Sequence, residues 1–294
     1  MFAEQLINGI TLGSIYAIVA LGYTLVFGVL DIINMAHGEI FMFGAFIGMV
    51  IVTKMNAPLA IAFAGAVMVT AALGYLLERV ALRPLRGRTG VSHLAPLIST
   101  IGVSILLENL AHHIFGAGNQ LFETSFADIR FTIGSTTVYL VQIVILAVSI
   151  ILMGGLSLWL SRTRTGKGLR ATAESLETAG LLGVDTNRII TATVVIASAM
   201  GGIAGVLVGI AFNYINNQIG LSMGLKGLAI IIFGGMGSVA GAMAGGLILG
   251  LSETFVVAYG SSGYRDAIAF LTIIVVLLLR PRGLFGQAVP EARR

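Results

Sequence analysis

The chain has no cysteine, and only 10% of its 294 residues are charged. Without cysteine there is no disulfide framework, no thiolate nucleophile and no Cys-based metal site. The four histidines form no His-Glu-x-x-His, so a zinc-hydrolase constellation of that kind is absent. Lys167 offers the one approach to a phosphate-binding loop, in Thr165-Gly166-Lys167-Gly168. Ser161 stands where the first glycine of that loop is required, however, and Gly168 stands where Ser or Thr must follow. ATP hydrolysis by that route is therefore excluded. So little charge also leaves no room for a soluble catalytic domain.

What the chain has instead is apolar length. Hydrophobic residues make up 57% of it and the mean hydropathy is +0.99. Apolar runs of the roughly 20 residues that a helix needs to cross a bilayer recur along nearly the whole sequence. The expected fold is all-α: a single transmembrane domain spanning 1–294, with about eight to nine spans including short or re-entrant helices. Leu6 to Leu30 is too long for a signal-peptide core and starts with Glu4 instead of a basic region, so it is expected to be retained. The formal charge of +4 is topological: thirteen of the 17 basic residues fall in three loops that alternate with poorly basic ones. One is Arg79 to Arg88, the second surrounds Arg162 to Arg188, and the third is the tail from Arg280 to Arg294. These mark the cytoplasmic side. The loop 116–135, with Glu123, Asp128 and a single Arg130, marks the outside. Counting back places the C-terminus inside and the N-terminus outside, which requires an odd number of crossings. Nine with one or two short ones satisfies that count; eight plus a re-entrant half-helix is the rival. The segments 32–53 and 225–236 are the ambiguous pieces.

Two patterns point to helix packing and to a pathway. Gly201, Gly205 and Gly209 stand four apart, as do Gly237, Gly241 and Gly245, with Gly9/Gly13 and Gly44/Gly48 as shorter cases. Such stripes let helix backbones approach closely, which is how helices gain contact energy in lipid. The dense run Gly234-Gly235-Met236-Gly237-Ser238 reads as a tight turn or a break between half-helices. Polar groups at membrane depth cost about 2.5–3.5 kcal/mol each at a helix centre, so each requires a partner or a path. Asn34, His37 and Glu39 cluster at the start of the second span, Glu108 and Asn109 lie deep in the fourth, and Glu253 follows the glycine run. Glu78 and Arg79 are expected to form an interfacial ion pair.

The charged interruption from Thr165 to Arg188 is the third feature. Leu169, Ala173, Leu176 and Gly180 recur at helical spacing, Gly183 is a natural helix stop, and Asp185-Thr186-Asn187 supplies caps for the next helix. The pattern fits either a protruding helix gripped by a soluble motor or an interfacial helix resting on headgroups.

Five segments in register resemble one family: Asn8-Gly9-Ile10-Thr11-Leu12-Gly13-Ser14-Ile15-Tyr16-Ala17, Ile33-Asn34-Met35-Ala36-His37-Gly38-Glu39, Gly168-Leu169-Arg170-Ala171-Thr172-Ala173-Glu174, Leu181-Leu182-Gly183, and Gly234 through Gly250. Together they resemble the H-type permease subunit of branched-chain amino acid (Liv) ABC importers. The resemblance implies a second, M-type permease subunit, two ATPase subunits that bind ATP and Mg2+, and a periplasmic or lipid-anchored binding protein delivering leucine, isoleucine or valine. It also implies that the cytoplasmic segment docks on the ATPase, with Gly166, Arg170, Ala173, Glu174, Leu182 and Gly183 at the matching positions. Asn34, His37, Glu39 and Asn109 are the candidates for a substrate pathway, and no metal site is expected. Permeases for urea and short amides resemble the same family, so the pattern leaves the substrate open. A stand-alone secondary transporter or channel would call for paired broken helices and internal repeats; the chain offers only Glu108 and Glu253, each isolated in the sequence.

Overall fold

The computed structural model describes residues 2–86, 94–124, 129–133, 136–280 and 283–286. Arg88, Asp128, Arg282, Arg293 and Arg294, which contribute to the charge argument above, lie outside them. Eleven α-helices follow in order: α1 (Phe2–Leu30), α2 (His37–Met49), α3 (Leu59–Leu77), α4 (Ala95–Phe115), α5 (Leu140–Arg162), α6 (Arg164–Glu174), α7 (Leu176–Leu181), α8 (Thr186–Phe212), α9 (Ile219–Gly234), α10 (Val239–Tyr259) and α11 (Arg265–Leu279). Both α2 and α3 continue into a π-helical turn, to Lys54 and Leu82. Two 3-10 turns, Arg83–Leu85 and Ser262–Tyr264, and four short strands complete the described elements. β1 (Gln120–Leu121) pairs antiparallel with β4 (Tyr214–Ile215), and β2 (Arg130–Ile133) with β3 (Thr136–Tyr139).

Among the described residues, seven helices are long and apolar enough to cross a membrane: α1, α2, α3, α4, α5, α8 and α10. The helix α9 has 16 residues, so at 1.5 Å per residue it is about 24 Å long, short of a hydrocarbon layer of about 30 Å. It starts six residues earlier than the apolar run suggested, because Ile219, Gly220, Met223 and Gly224 all pack inward.

The centre of the bundle is α1, buried along most of its length. Glycines explain how it gets there. A Cβ on Gly13 would stand 2.7 Å from the Cα of Leu247, and one on Gly246 would stand 2.5 Å from the Cα of Ala17, so α1 and α10 touch backbone to backbone. The same logic holds α8 to α2, where a Cβ on Gly44 would lie 2.5 Å from the Cα of Gly202, and α8 to α3, where one on Gly74 would lie 2.6 Å from Ser198 Cβ. Gly201 abuts His37, Gly205 abuts the α2 backbone, Gly209 abuts the Phe122 ring and Gly245 abuts Ile230 and Phe233. Gly241 meets Gly234 across the α9–α10 turn. Gly237 serves the turn expected of the Gly234–Ser238 run and not the packing stripe with Gly241 and Gly245. It lies in the turn itself at φ +79°, where a Cβ would meet only the Cα of Gly28 at 3.8 Å, and with Gly235 at φ +106° it reverses the chain between the two helices.

The outer helices α3, α4 and α5 keep large apolar side chains exposed, among them Met68, Leu76, Ile98, Leu106, Ile150 and Ile151. In a chain this apolar that is the lipid-facing pattern, because only a helix with its backbone bonds satisfied internally can present such a face to hydrocarbon. The expected Glu78–Arg79 pair does not form. Successive residues on a helix diverge by about 100°, so Arg79 points outward while Glu78 is buried. The chain turns back after Pro84 and brings Arg86 onto Glu78 instead.

Candidate coupling and translocation site

The segment between α5 and α8 is two helices where one was expected. Thr163 accepts a hydrogen bond from Gly166 N and caps α6; Ser175, with extended backbone, accepts one from Thr178 N and caps α7. A serine that serves the next helix in this way competes with continuation of the first. The apolar face therefore does not run through 169, 173, 176 and 180. The inward side of α6 is Gly166, Leu169 and Thr172, α7 buries Ala179, and Ala173, Leu176 and Gly180 are exposed. Gly166 sits where α5 turns into α6, with a would-be Cβ 2.6 Å from the Cα of Leu160.

The stop at Gly183 and the cap at Asp185 are local features, and the structure has both. Gly183 adopts φ +84°, Val184 N bonds Ala179 O across it, and Asp185 Oδ1 accepts from Arg188 N at 3.1 Å. Arg170, Ala173, Glu174, Leu182 and Gly183 are all exposed on the segment that joins α5 to α8. Leu181 and Leu182 are 83% and 77% exposed, an apolar tip beside a charged flank.

The structure brings three of the four pathway candidates together. Asn34, His37 and Glu39 are all buried at the α1–α2 corner. Asn34 Oδ1 accepts from Ala36 N, which starts α2, and Met35 N donates to Thr100 Oγ1 on α4. The His37 ring meets the Tyr23 ring edge-on with centroids 4.6 Å apart, and Ser104 donates to Glu39 Oε1 at 3.4 Å. Both His37 ring nitrogens, Asn34 Nδ2 and Glu39 Oε2 lack a hydrogen-bond partner among the described residues. The adjoining void, lined by Tyr23, Glu39, Ser104 and Gly220, is about 20 Å3, room for about one water and no more. Asn109 is elsewhere: it is exposed on α4 and donates to its own helix at Ile105 O, 2.7 Å away.

Glu253 is not isolated. Its carboxylate receives Tyr16 Oη at 2.8 Å and Lys226 Nζ at 3.0 Å, and Lys226 also donates to the Tyr16 hydroxyl at 3.2 Å. Arg265 Nε stands 2.7 Å from the same carboxylate, an ion pair by distance whose N–H is not aimed well enough for a hydrogen bond. Four elements, α1, α9, α10 and α11, are tied at one point. Lys226, Tyr16 and Arg265 were not among the residues singled out from the sequence. A lone cation in the middle of the run from Ile219 to Gly234 was the signal available, since a buried ammonium requires a counter-charge.

These features coincide with a family. Residues 5–277 match the family described as "Branched-chain amino acid transport system / permease component". The chain is 40% identical, over all of its length and 98% of the relative's, to the high-affinity branched-chain amino acid transport system permease protein BraD of Pseudomonas aeruginosa. It is 38% identical, over all of its length and 97% of the relative's, to the permease protein LivH of Escherichia coli K12. A solved structure, PsaBC from Streptococcus pneumoniae in complex with Fab, is similar at a TM-score of 0.48 and 13% identity over 96% of this chain and 93% of that one, too distant to argue from. With the family pattern covering almost the entire bundle, including the α6–α7 pair and the glycine-packed centre, the chain belongs to the permease components of branched-chain amino acid transport systems.

Proposed function

We propose that the chain is one of two permease subunits in an ATP-driven importer that moves leucine, isoleucine and valine into the cytoplasm across the bacterial inner membrane. A second, M-type permease completes the membrane part, two ATPase subunits bind and hydrolyse ATP with Mg2+, and a periplasmic or lipid-anchored protein delivers substrate. This subunit does no chemistry of its own. Its α6–α7 pair, with Arg170, Glu174 and Leu182 outward, docks on an ATPase and passes the motion to α5 and α8, whose ends it joins. The C-terminus is cytoplasmic, the N-terminus periplasmic, and 1–294 acts as a single domain. The substrate passes between the two permeases, with Asn34, His37, Glu39 and Asn109 the polar candidates along its route.

The observation that carries this reading is the full-length identity to permeases whose names specify branched-chain amino acid transport. Those names favour this substrate class over urea and short amides, and a multi-component importer over a stand-alone secondary transporter. The test is reconstitution of the whole complex in vesicles with binding protein outside and ATP inside. Leucine, isoleucine and valine should accumulate and urea should not. Accumulation without the ATPase subunits, or of urea alone, would refute the proposal.

A further inference from the structure

A cavity of about 620 Å3 opens between the starts of α1 and α5 and the ends of α8 and α10. That is within the roughly 300–1,000 Å3 range of small-molecule sites. It lies at the end of the bundle away from α6–α7, because those helices join the end of α5 to the start of α8. Its lining is divided by chemistry. Leu12 and Ile15 from α1, Ile145 from α5 and Val257 from α10 give an apolar wall. Gln5, Asn8, Gln142 and Asn213 give side-chain amides, with Gln142 Nε2 donating to Asn8 Oδ1 at 2.5 Å and Asn8 Nδ2 to Gln5 Oε1 at 3.4 Å. Arg265 is the charged residue in the lining.

The guanidinium is held in place there. Its Nε side faces Glu253, and its Cζ lies 5.7 Å from the centroid of Phe212, another lining residue. Contact with Glu253 through Nε leaves the two terminal nitrogens for the cavity, and paired N–H groups in a plane are the geometry that grips a carboxylate bidentately. The amide oxygens of Gln5, Asn8 and Gln142 each accept one hydrogen bond within the chain and keep a second lone pair for an ammonium, and the apolar wall suits a branched aliphatic chain. We propose that this cavity is a subsite on this chain for a free amino acid, with the carboxylate on Arg265. The inference rests on the importer reading and sharpens it, because it places a ligand-binding group on this subunit and away from the Asn34–His37–Glu39 corner.

The absence of cysteine makes a direct test available. Ala258 is exposed and lines the cavity, so Ala258→Cys introduces the chain's sole thiol. The complete complex, with its other subunits made cysteine-free, is placed in phosphatidylcholine vesicles and labelled with a maleimide. Leucine should slow labelling, leucinamide, which lacks the carboxylate, should not, and Arg265→Gln should abolish the protection, measured against that variant's own labelling rate without leucine. In uptake assays Arg265→Lys, which keeps charge but loses the paired donors, should slow leucine import about tenfold, the equivalent of one charge-assisted hydrogen bond. Equal protection by leucine and leucinamide, or protection that survives Arg265→Gln, overturns the proposal. So does protection produced by phosphatidylglycerol in the vesicles instead of leucine, which would identify a lipid headgroup as the anion. If the wild-type complex fails to import leucine at all, the importer reading falls, whereas normal import by wild type and Arg265→Lys alike overturns the subsite alone.

Discussion

Replacement of Gly205 by alanine tests the packing argument at a contact between two helix backbones. A Cβ there would stand 2.6 Å from Ala45 N and would collide with the carbonyl oxygen of Phe41, both of them α2 backbone. Since carbon contacts settle near 3.5–4.0 Å, α2 and α8 would have to separate locally by about 1 Å. That would also loosen the Gly44–Gly202 approach beside it. Overpacking of this kind costs roughly 1–3 kcal/mol. Against it stands a gain of about 0.5–1 kcal/mol for replacing glycine by alanine inside a helix. The clash wins by about 1–2 kcal/mol, and Gly205→Leu, with three more carbons and nowhere to put them, should prevent assembly. Gly154 in α5 is the control, because a Cβ there meets nothing within 4 Å, so only the helix gain remains. In thermal unfolding of the purified chain in detergent, Gly205→Ala should melt several degrees below wild type, at roughly 2–4 °C per kcal/mol, and Gly154→Ala at or slightly above it. If Gly205→Ala melts as high as Gly154→Ala, close backbone approach is not what holds α2 to α8.

Reversing charge with Arg170→Glu or Glu174→Lys should leave the bundle folded but uncouple ATP hydrolysis from uptake in the reconstituted complex; normal transport by both variants would remove α6 from the docking role. Lys226→Met should destabilise by less than the roughly 3–5 kcal/mol of a broken buried pair, because Tyr16 and Arg265 remain on Glu253, and adding Glu253→Gln should recover part of the loss. A double-mutant cycle checks this, and strict additivity would show that the two groups do not interact. Gly183→Ala should cost roughly 1–2 kcal/mol of local stability because its φ of +84° is left-handed, read as faster amide exchange across 176–184; unchanged protection there would count against the Gly183 stop.

Composition and hydropathy alone determined that this is an α-helical membrane bundle, because a bilayer forces each backbone polar group to be satisfied within its own helix or a closed barrel. The glycine stripes, the Gly183 stop and the Asp185 cap were legible for a similar reason: a cap or a four-residue stripe depends only on neighbours in the chain. The break at Ser175 was equally local, yet the spacing of 169, 173, 176 and 180 masked it, since periodicity cannot show that a helix has been cut and restarted. What only the tertiary structure decided are the pairings across sequence distance. Tyr16 lies 237 residues from the carboxylate it bonds, Lys226 lies 27 away, and no local pattern distinguishes Glu253 paired from Glu253 alone. The same holds for Arg86 replacing Arg79 on Glu78, and for Asn109 facing out of the bundle while Asn34, His37 and Glu39 face in. Which side of a helix is interior depends on where its neighbours pack, and in a chain apolar on nearly every face, hydropathy carries almost no record of that choice.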